Sequence, residues 1–258
     1  MEQAADIPLW RLAAMYGLLI LPFAVVAYLR LRMIRDLLIA VLRMSVQLAG
    51  VGLLLLWLFR QDNNGLNIAW VLVMIAFAAG SAVRNSELPL RRFVAPVFAA
   101  LLLSTAGLMA FFNGFLLRLP NVFSAQYLVV IGGMLLGNAL QGIIIGLSHF
   151  YGELRKRKAL YEFRLAAGAN RQEALFPFYR DAVNAALRPS VATMATMGIV
   201  FLPGMMTGQI IGGTLPDTAI KYQIAIMLAV FVVIALALVL ALLFSLRQGF
   251  DGYGRLQV

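Results

Sequence analysis

The chain contains no cysteine and a single histidine, His149. Disulfides and thiolate metal sites are therefore excluded, as is a zinc cluster built on several histidines. Acidic residues are also scarce, eleven in 258, and the apolar stretches hold essentially none. No carboxylate cage for a hard cation is evident, and no metal site is firmly assigned. Lysine is scarcer still. Lys156, Lys158 and Lys221 are the only three, and none follows glycine, so the chain has no G-x-x-x-x-G-K-[ST] phosphate cradle. A G-x-S-x-G elbow is missing too. Ser148-His149 is no catalytic dyad, because adjacent residues diverge by about 100° on a helix. These absences argue against a hydrolase and against nucleotide binding in the P-loop manner, and no cofactor is expected in the chain itself.

Apolar residues dominate what is present. The composition is 62% hydrophobic and 12% charged, with mean hydropathy +0.89, which excludes an ordinary soluble domain. A helical span takes about 20 apolar residues. Seven stretches qualify, at 9–29, 36–59, 67–84, 94–117, 126–149, 191–213 and 223–246. The expected fold is therefore all-α and polytopic, a single transmembrane domain over 1–258. The first stretch follows Glu2 and Asp6 rather than a basic segment and lacks a small-residue cleavage site, so it is read as a true span.

A net charge of +10 raises the question of nucleic acid, and the distribution answers it. With the N-terminus outside and the C-terminus inside, seventeen basic residues fall on the cytoplasmic side. They are Arg30, Arg32, Arg35, Arg43, Arg84, Arg91 and Arg92, eight between Arg155 and Arg188, then Arg247 and Arg255. Only Arg11, Arg60, Arg118 and Lys221 fall outside. That asymmetry sets orientation in a membrane. The partner is a bilayer, not nucleic acid, and the expected location is the inner (cytoplasmic) membrane.

One cytoplasmic segment is long, Tyr151 to Pro189. Apolar residues recur in it at helical spacing: Leu154, Leu160, Phe163 and Ala167, then Ala174, Leu175, Phe178, Ala182 and Ala186. Gly168-Ala169-Asn170 separates two helices, and Asn170 with Glu173 has the spacing of a capping box. Pro177 is expected to kink the second helix, and Pro189 precedes the next span. Alone, this pattern also suits an amphipathic hairpin resting on lipid headgroups.

Polar side chains inside spans are costly and draw a functional reading. Arg43 and Gln47 lie one turn apart, suited either to snorkelling and interhelical bonding or to a pathway. Gly133, Gly137 and Gln141 share a stripe beside Asn138, and Gly142 with Gly146 adds a second small-residue row. Such rows make a tight helix seam, which Asn138 and Gln141 either glue or open into a cavity. His149 reads as an interfacial residue rather than a ligand. Segment six carries the breakers Pro203, Gly204, Gly208, Gly212, Gly213 and Pro216 around Met205 and Met206. A hinge or outer gate is expected there, with the methionines as packing first and soft-metal contacts second. Asp217 and Lys221 form an i,i+4 pair at the outer entrance of the last span.

Taken in order, these motifs resemble one family. They are Arg43-x3-Gln47-Leu48, Gly133-Met134-x2-Gly137-Asn138-Ala139, the loop with Gly168-Ala169, Leu202-Pro203-Gly204-Met205-Met206-x-Gly208, and Ala219-Ile220-Lys221-Tyr222-Gln223-Ile224. The chain is similar, from about residue 30 onward, to the FetB-like iron-export ABC-transporter permeases and to plant aluminium-sensitivity half-transporters. The loop is similar to the EAA-type coupling loop of ABC permeases, with Phe163 and Arg164 where two alanines usually stand and Ala167-Gly168-Ala169 in place of Leu-Gly-Ala. The resemblance implies a permease paired with a separate cytoplasmic ATPase that carries ATP and magnesium, as a complex of two permeases and two ATPases, with iron or another metal as cargo. Glu162, Leu165, Gly168, Ala169, Asn170 and Glu173 would then couple to the ATPase. A secondary transporter driven by an ion gradient is the competing class, since broken helices serve there too.

Overall fold

The computed structural model describes residues 7–31, 33–61, 63–251 and 256–257; Glu2, Asp6, Arg32 and Arg255, counted above, lie outside the described residues. In order the elements are α1 (Leu9–Gly17), α2 (Ile20–Tyr28), α3 (Ile34–Gln61), α4 (Asn64–Asn85), α5 (Leu90–Ala110), α6 (Ala125–Lys156), α7 (Lys158–Ala166), α8 (Arg171–Thr196), α9 (Gly204–Ile211) and α10 (Pro216–Gly249). A π-helical turn, Phe111–Leu116, prolongs α5. No strand occurs among the described residues, so the chain is an all-α polytopic membrane protein.

Six segments are long and apolar enough to cross a membrane: α1 with α2, then α3, α4, α5 with its π turn, α6, and α10. Segment six, expected as one span over 191–213, is not a single helix. α8 rises from the polar loop and carries Ser190, Thr193 and Thr196, then stops at Met197; a non-helical stretch and the eight-residue α9 follow. The breakers divide the apolar run into pieces too short to span alone. Pro177 and Pro189 both lie inside α8, which runs from the loop into the beginning of the expected span. Each removes one backbone donor without ending the helix, because the residues on either side keep their own i to i−4 bonds.

α6 and α10 form the centre. Their shared seam depends on Gly142 and Gly146: a Cβ on Gly142 would run into Ile234, and one on Gly146 into Leu238. Absent side chains let the two backbones close up, the expected use of a small-residue row. Around this pair α4, α5 and α8 complete a five-helix bundle with a continuous core that includes Phe93, Leu101, Leu135, Ile143, Leu147, Val233 and Leu242, all essentially without exposure. At the end away from the long loop, Asn67 donates to the Phe123 carbonyl at 3.0 Å and Asn113 to Val122 at 2.9 Å, fixing the α5–α6 connection.

The first three helices are different. Neither α1 nor α2 has a buried residue, and α3 has one, Leu58. Leu58 joins Ala125 and Val129 beside Trp70 and Met74, so α3 meets the bundle near its C-terminal end. Elsewhere α3 has no buried residue; Leu54 and Leu55 flank the same cluster, and Ser45 shares a hydrogen bond with Tyr16 of α1 at 2.6 Å. Substituting valine at Gly146 or Gly142 should destabilise the bundle by roughly 1–3 kcal/mol through overpacking. Gly137→Ala, where a Cβ meets nothing within 4 Å, should be neutral or better. Thermal unfolding of the detergent-solubilised variants checks both.

Candidate functional site

The long loop is a rigid helical unit. α6 extends to Lys156, the chain turns at Arg157, and α7 runs to Ala166. Gly168 then adopts φ +92°, a conformation costly for any side chain. Its N–H donates to the Leu165 carbonyl at 3.1 Å and that of Ala169 to Arg164 at 3.0 Å, the paired bonds of a Schellman cap. Two residues on, the capping box forms as the spacing requires. The Glu173 N–H donates to Asn170 Oδ1 and the Asn170 N–H donates to Glu173 Oε2, each at 2.9 Å. The turn between α7 and α8 is thus closed from both sides.

α7 presents a different face from the one its apolar spacing suggests. Tyr161 is buried and Leu165 packs on the core, while Leu160 and Phe163 point away, Phe163 at 69% exposure. Phe176 of α8 is similarly exposed at 63%. Glu162 is exposed and faces Lys158 at 3.6 Å, a pair worth little in water. Leu154 of the first group and Ala174, Leu175, Phe178, Ala182 and Ala186 of the second are buried as expected.

Sequence reasoning missed what bolts this unit down. Arg171, first residue of α8, donates from Nη2 to the Leu246 carbonyl of α10 at 2.8 Å, and its guanidinium lies 4.4 Å from the Phe250 ring centroid. Tyr161 packs on the same ring at 5.8 Å, and burial pushes its hydroxyl above the usual tyrosine pKa, with Arg171 acting the other way. Tyr151 of α6 donates to Ser245 of α10 at 2.9 Å and closes against Gly249, where a Cβ would strike its ring. No local spacing links residues 151, 161, 171 and 250. Only the unbroken basic and aromatic content of both segments hinted at it.

A polar seam runs from this loop into the bundle. Asn138, Gln141, Ile145, His149 and Glu153 step along one face of α6 at intervals of three and four. Near its middle, Asn138 and Gln141 meet Ser190 and Thr193 of α8 and Met227 of α10 around a cavity of about 170 Å³. Asn138 also donates to the Met134 carbonyl at 2.9 Å. Near the loop, His149 and Glu153 meet Asp181, Asn184 and Arg188 around an open recess of about 360 Å³. Pro189 lies between the two spaces, and its missing N–H leaves the Ala185 carbonyl, which lines the recess, without its helical donor. The recess is not a cation cage: Glu153 is held by Lys156 at 3.1 Å and Arg157 at 3.2 Å, and no group of three His, Asp or Glu converges among the described residues.

Segment six places its predicted residues at the other end. Gly198 (φ +86°) turns the chain, its N–H donating to the Phe201 carbonyl at 2.9 Å. Pro203 caps α9, and Gly213 (φ +94°) ends it with the Thr214 N–H donating to Gln209 at 2.9 Å. Met206 is buried, Met205 packs on the core, and Gly204 and Gly208 are exposed with open space beside them. The methionines do not converge on a common point with the amides of the seam. Asp217 and Lys221 pair at 2.7 Å on the exposed start of α10. Arg43 and Gln47 sit apart from all of this, exposed on α3 in an open cleft that faces Asn85 of α4.

A helical bundle with a bolted polar loop, a polar seam between α6 and α8 and a broken sixth segment defines a polytopic integral membrane protein. The chain belongs to UPF0014, matching over residues 9–250 the family described as "Uncharacterised protein family (UPF0014)". It is 33% identical over 195 residues to Protein ALUMINUM SENSITIVE 3 of Arabidopsis thaliana, covering 74% of this chain and 69% of the relative. It is 31% identical over 194 residues to UPF0014 membrane protein YjkA of Bacillus subtilis, with 75% and 76% covered. It is also 30% identical over 197 residues to the "Probable iron export permease protein FetB" of Escherichia coli, with 76% and 74% covered. The resemblance read from the motifs holds. No solved structure matches the chain.

Arg171→Leu should loosen the loop from α10. Loss of a charge-assisted hydrogen bond of about 2 kcal/mol predicts roughly 30-fold weaker amide protection across 158–175. Hydrogen exchange of the purified chain measures it. Asn170→Ala should weaken the start of α8 by about 1 kcal/mol, with the loss confined to the first turns.

Proposed function

We propose that the chain is the membrane-spanning permease subunit of an ABC transporter, driven by a separate cytoplasmic ATPase that binds ATP and magnesium. The observation that carries this reading is the closed α7–α8 turn. Its inner face is bolted to α6 and α10 by Tyr151, Tyr161 and Arg171, while Leu160, Phe163 and Phe176 are left uncovered on its outer surface. A rigid body of this kind passes motion from a docked partner directly into two long helices. Glu162, Leu165, Gly168, Ala169, Asn170 and Glu173 build or border that body.

Metal export, and iron in particular, is the cargo suggested by the relative named an iron export permease. The route we assign runs along the α6–α8 seam past Asn138 and Gln141 toward α9, where Pro203, Gly204, Met205, Met206 and Gly208 form the gate and Asp217 with Lys221 borders its outer mouth. Without a cage, the cargo meets only amides, hydroxyls and carbonyls, which suits brief contact rather than storage. The excess of basic residues expected on the loop side supports a cytoplasmic location for that side, with the chain in the inner membrane. Two permeases assemble with two ATPases, since a symmetric ATPase pair presents two equivalent docking surfaces.

Coexpression with an ATPase of the same transporter should give a complex whose ATP turnover responds to the permease. Gly168→Leu and Glu162→Ala should each lower ATP-driven transport at least about tenfold, corresponding to roughly 1.4 kcal/mol of lost coupling; full coupling in both variants would remove the ABC assignment. Transport by this chain alone, in liposomes under an ion gradient, would instead establish a secondary transporter. Pro203→Ala with Gly204→Ala should abolish transport and leave ATPase binding intact. Unchanged iron content in cells lacking the protein would discard iron as the cargo.

A further inference from the structure

α3 and α4 form a wedge. They come together near the C-terminal end of α3, where Leu58 joins Ala125 and Val129 of α6 in a cluster flanked by Trp70 and Met74 of α4, and the first turns of α3 have no buried residue. The open end of the wedge lies on the same side as the long loop. This follows from the chain's path and from the cross-links there, Arg155 to the Glu87 carbonyl at 3.4 Å and Arg171 to Leu246 at 2.8 Å.

The lining of this opening is unusual in its charge. Arg43 of α3 and Arg84 of α4 both border one space of about 470 Å³, together with Ser81, Asn85, Ala76, Phe77 and Leu90. A neighbouring recess of about 700 Å³ continues along α3 past Arg43, Gln47, Ile39 and Leu48, with Asp36 in the first turn. Ion pairs among the described residues involve Glu153, Glu162, Asp181 and Asp217, and neither arginine enters one. Two guanidiniums from two helices thus face a single cleft without a counter-ion. Asp36 supplies at most one compensating charge, and it borders only the outer recess. The remaining walls are hydrogen-bond donors near the arginines and apolar side chains beside them.

We propose that the α3–α4 wedge is a binding site for an anionic phospholipid. Its phosphate group is held between Arg43 and Arg84, with Gln47 and Asn85 as neutral partners, and its acyl chains lie along Leu48 and Phe77, deeper than the arginines on α3 and α4. Phosphate accepts several hydrogen bonds from forked guanidinium donors, so one headgroup satisfies both arginines and cancels their mutual repulsion. The open mouth of the wedge gives lipid direct lateral access. Its consequence is mechanical: the lipid fills the space that protein leaves empty and ties the free end of α3 to α4. This assignment is independent of the ABC reading, because it concerns the purified chain alone.

Native mass spectrometry of the full chain in detergent tests it, with phosphatidylglycerol and phosphatidylcholine of identical acyl chains as probes. The wild type should bind one phosphatidylglycerol about 30-fold more tightly than phosphatidylcholine, the scale expected for two basic residues at an anionic headgroup. Arg43→Gln with Arg84→Gln should erase that preference while phosphatidylcholine binding and helical circular dichroism remain. Arg91→Gln, exposed, and Arg164→Gln, half-buried, both on the same side but outside the wedge, should keep it. Glycerol 3-phosphate separates the two sources of phosphate: arginine-dependent binding of this soluble probe without phosphatidylglycerol preference would overturn the lipid as occupant. Equal losses in the control variants, or no loss in the double variant, would overturn the site. A double variant that changes only the monomer–dimer balance would assign the wedge to a second copy and overturn the proposal as well.

Discussion

The close approach of α6 and α10 governs the architecture. Two backbones in lipid gain little from burying apolar side chains against each other, because lipid tails already surround them. Contact area and packing must supply the association. Gly142 and Gly146 do so by letting Ile234 and Leu238 rest on bare backbone. Every other packed element then has a fixed reference: α4 and α5 on one side of the pair, α8 on the other. The loop inherits that rigidity, since its attachments at Ser245, Leu246 and Phe250 all lie on the end of α10.

The seam between α6 and α8 gathers polar groups from two helices, with Asn138, Ser190 and Thr193 half-buried and Gln141 exposed. Ser190 and Thr193 face Asn138 and Gln141 around one small cavity. Thr193 returns its hydroxyl to the Pro189 carbonyl at 2.9 Å, satisfying itself within the helix. Irregular or underbonded backbone at membrane depth is tolerated where protein or a cavity covers it. α8 is therefore less apolar than its neighbours and depends on them for shelter.

Much of this was legible from the residues. Hydropathy located the spans, the Asn170–Glu173 spacing located the capping box, and the four-residue glycine interval located the tightest contact. Local rules succeed where cause and effect lie within one or two turns. They fail where partners are distant in sequence. Arg171 contacts residues 75 and more positions away, and nothing near it announces that. Leu160 and Phe163 fit a buried helical face by spacing, yet Tyr161, larger and able to pack on Phe250, took the inner position. The division of segment six followed from its breakers, although hydropathy alone had joined its pieces into one span.

The near absence of buried side chains in α1, α2 and α3 bears on cooperativity. A residue shares in a protein's cooperative transition only through contacts that are lost when the rest comes apart. Five helices here share one core, whereas the first three are tied to it through little more than Leu58 and its neighbours. The chain therefore consists of two energetic units of unequal kind. One has a stability set by side-chain packing, the other by its partition into lipid. Thickening the bilayer or changing its lipids acts first on the second unit, and a mutation in the glycine seam acts on the first alone.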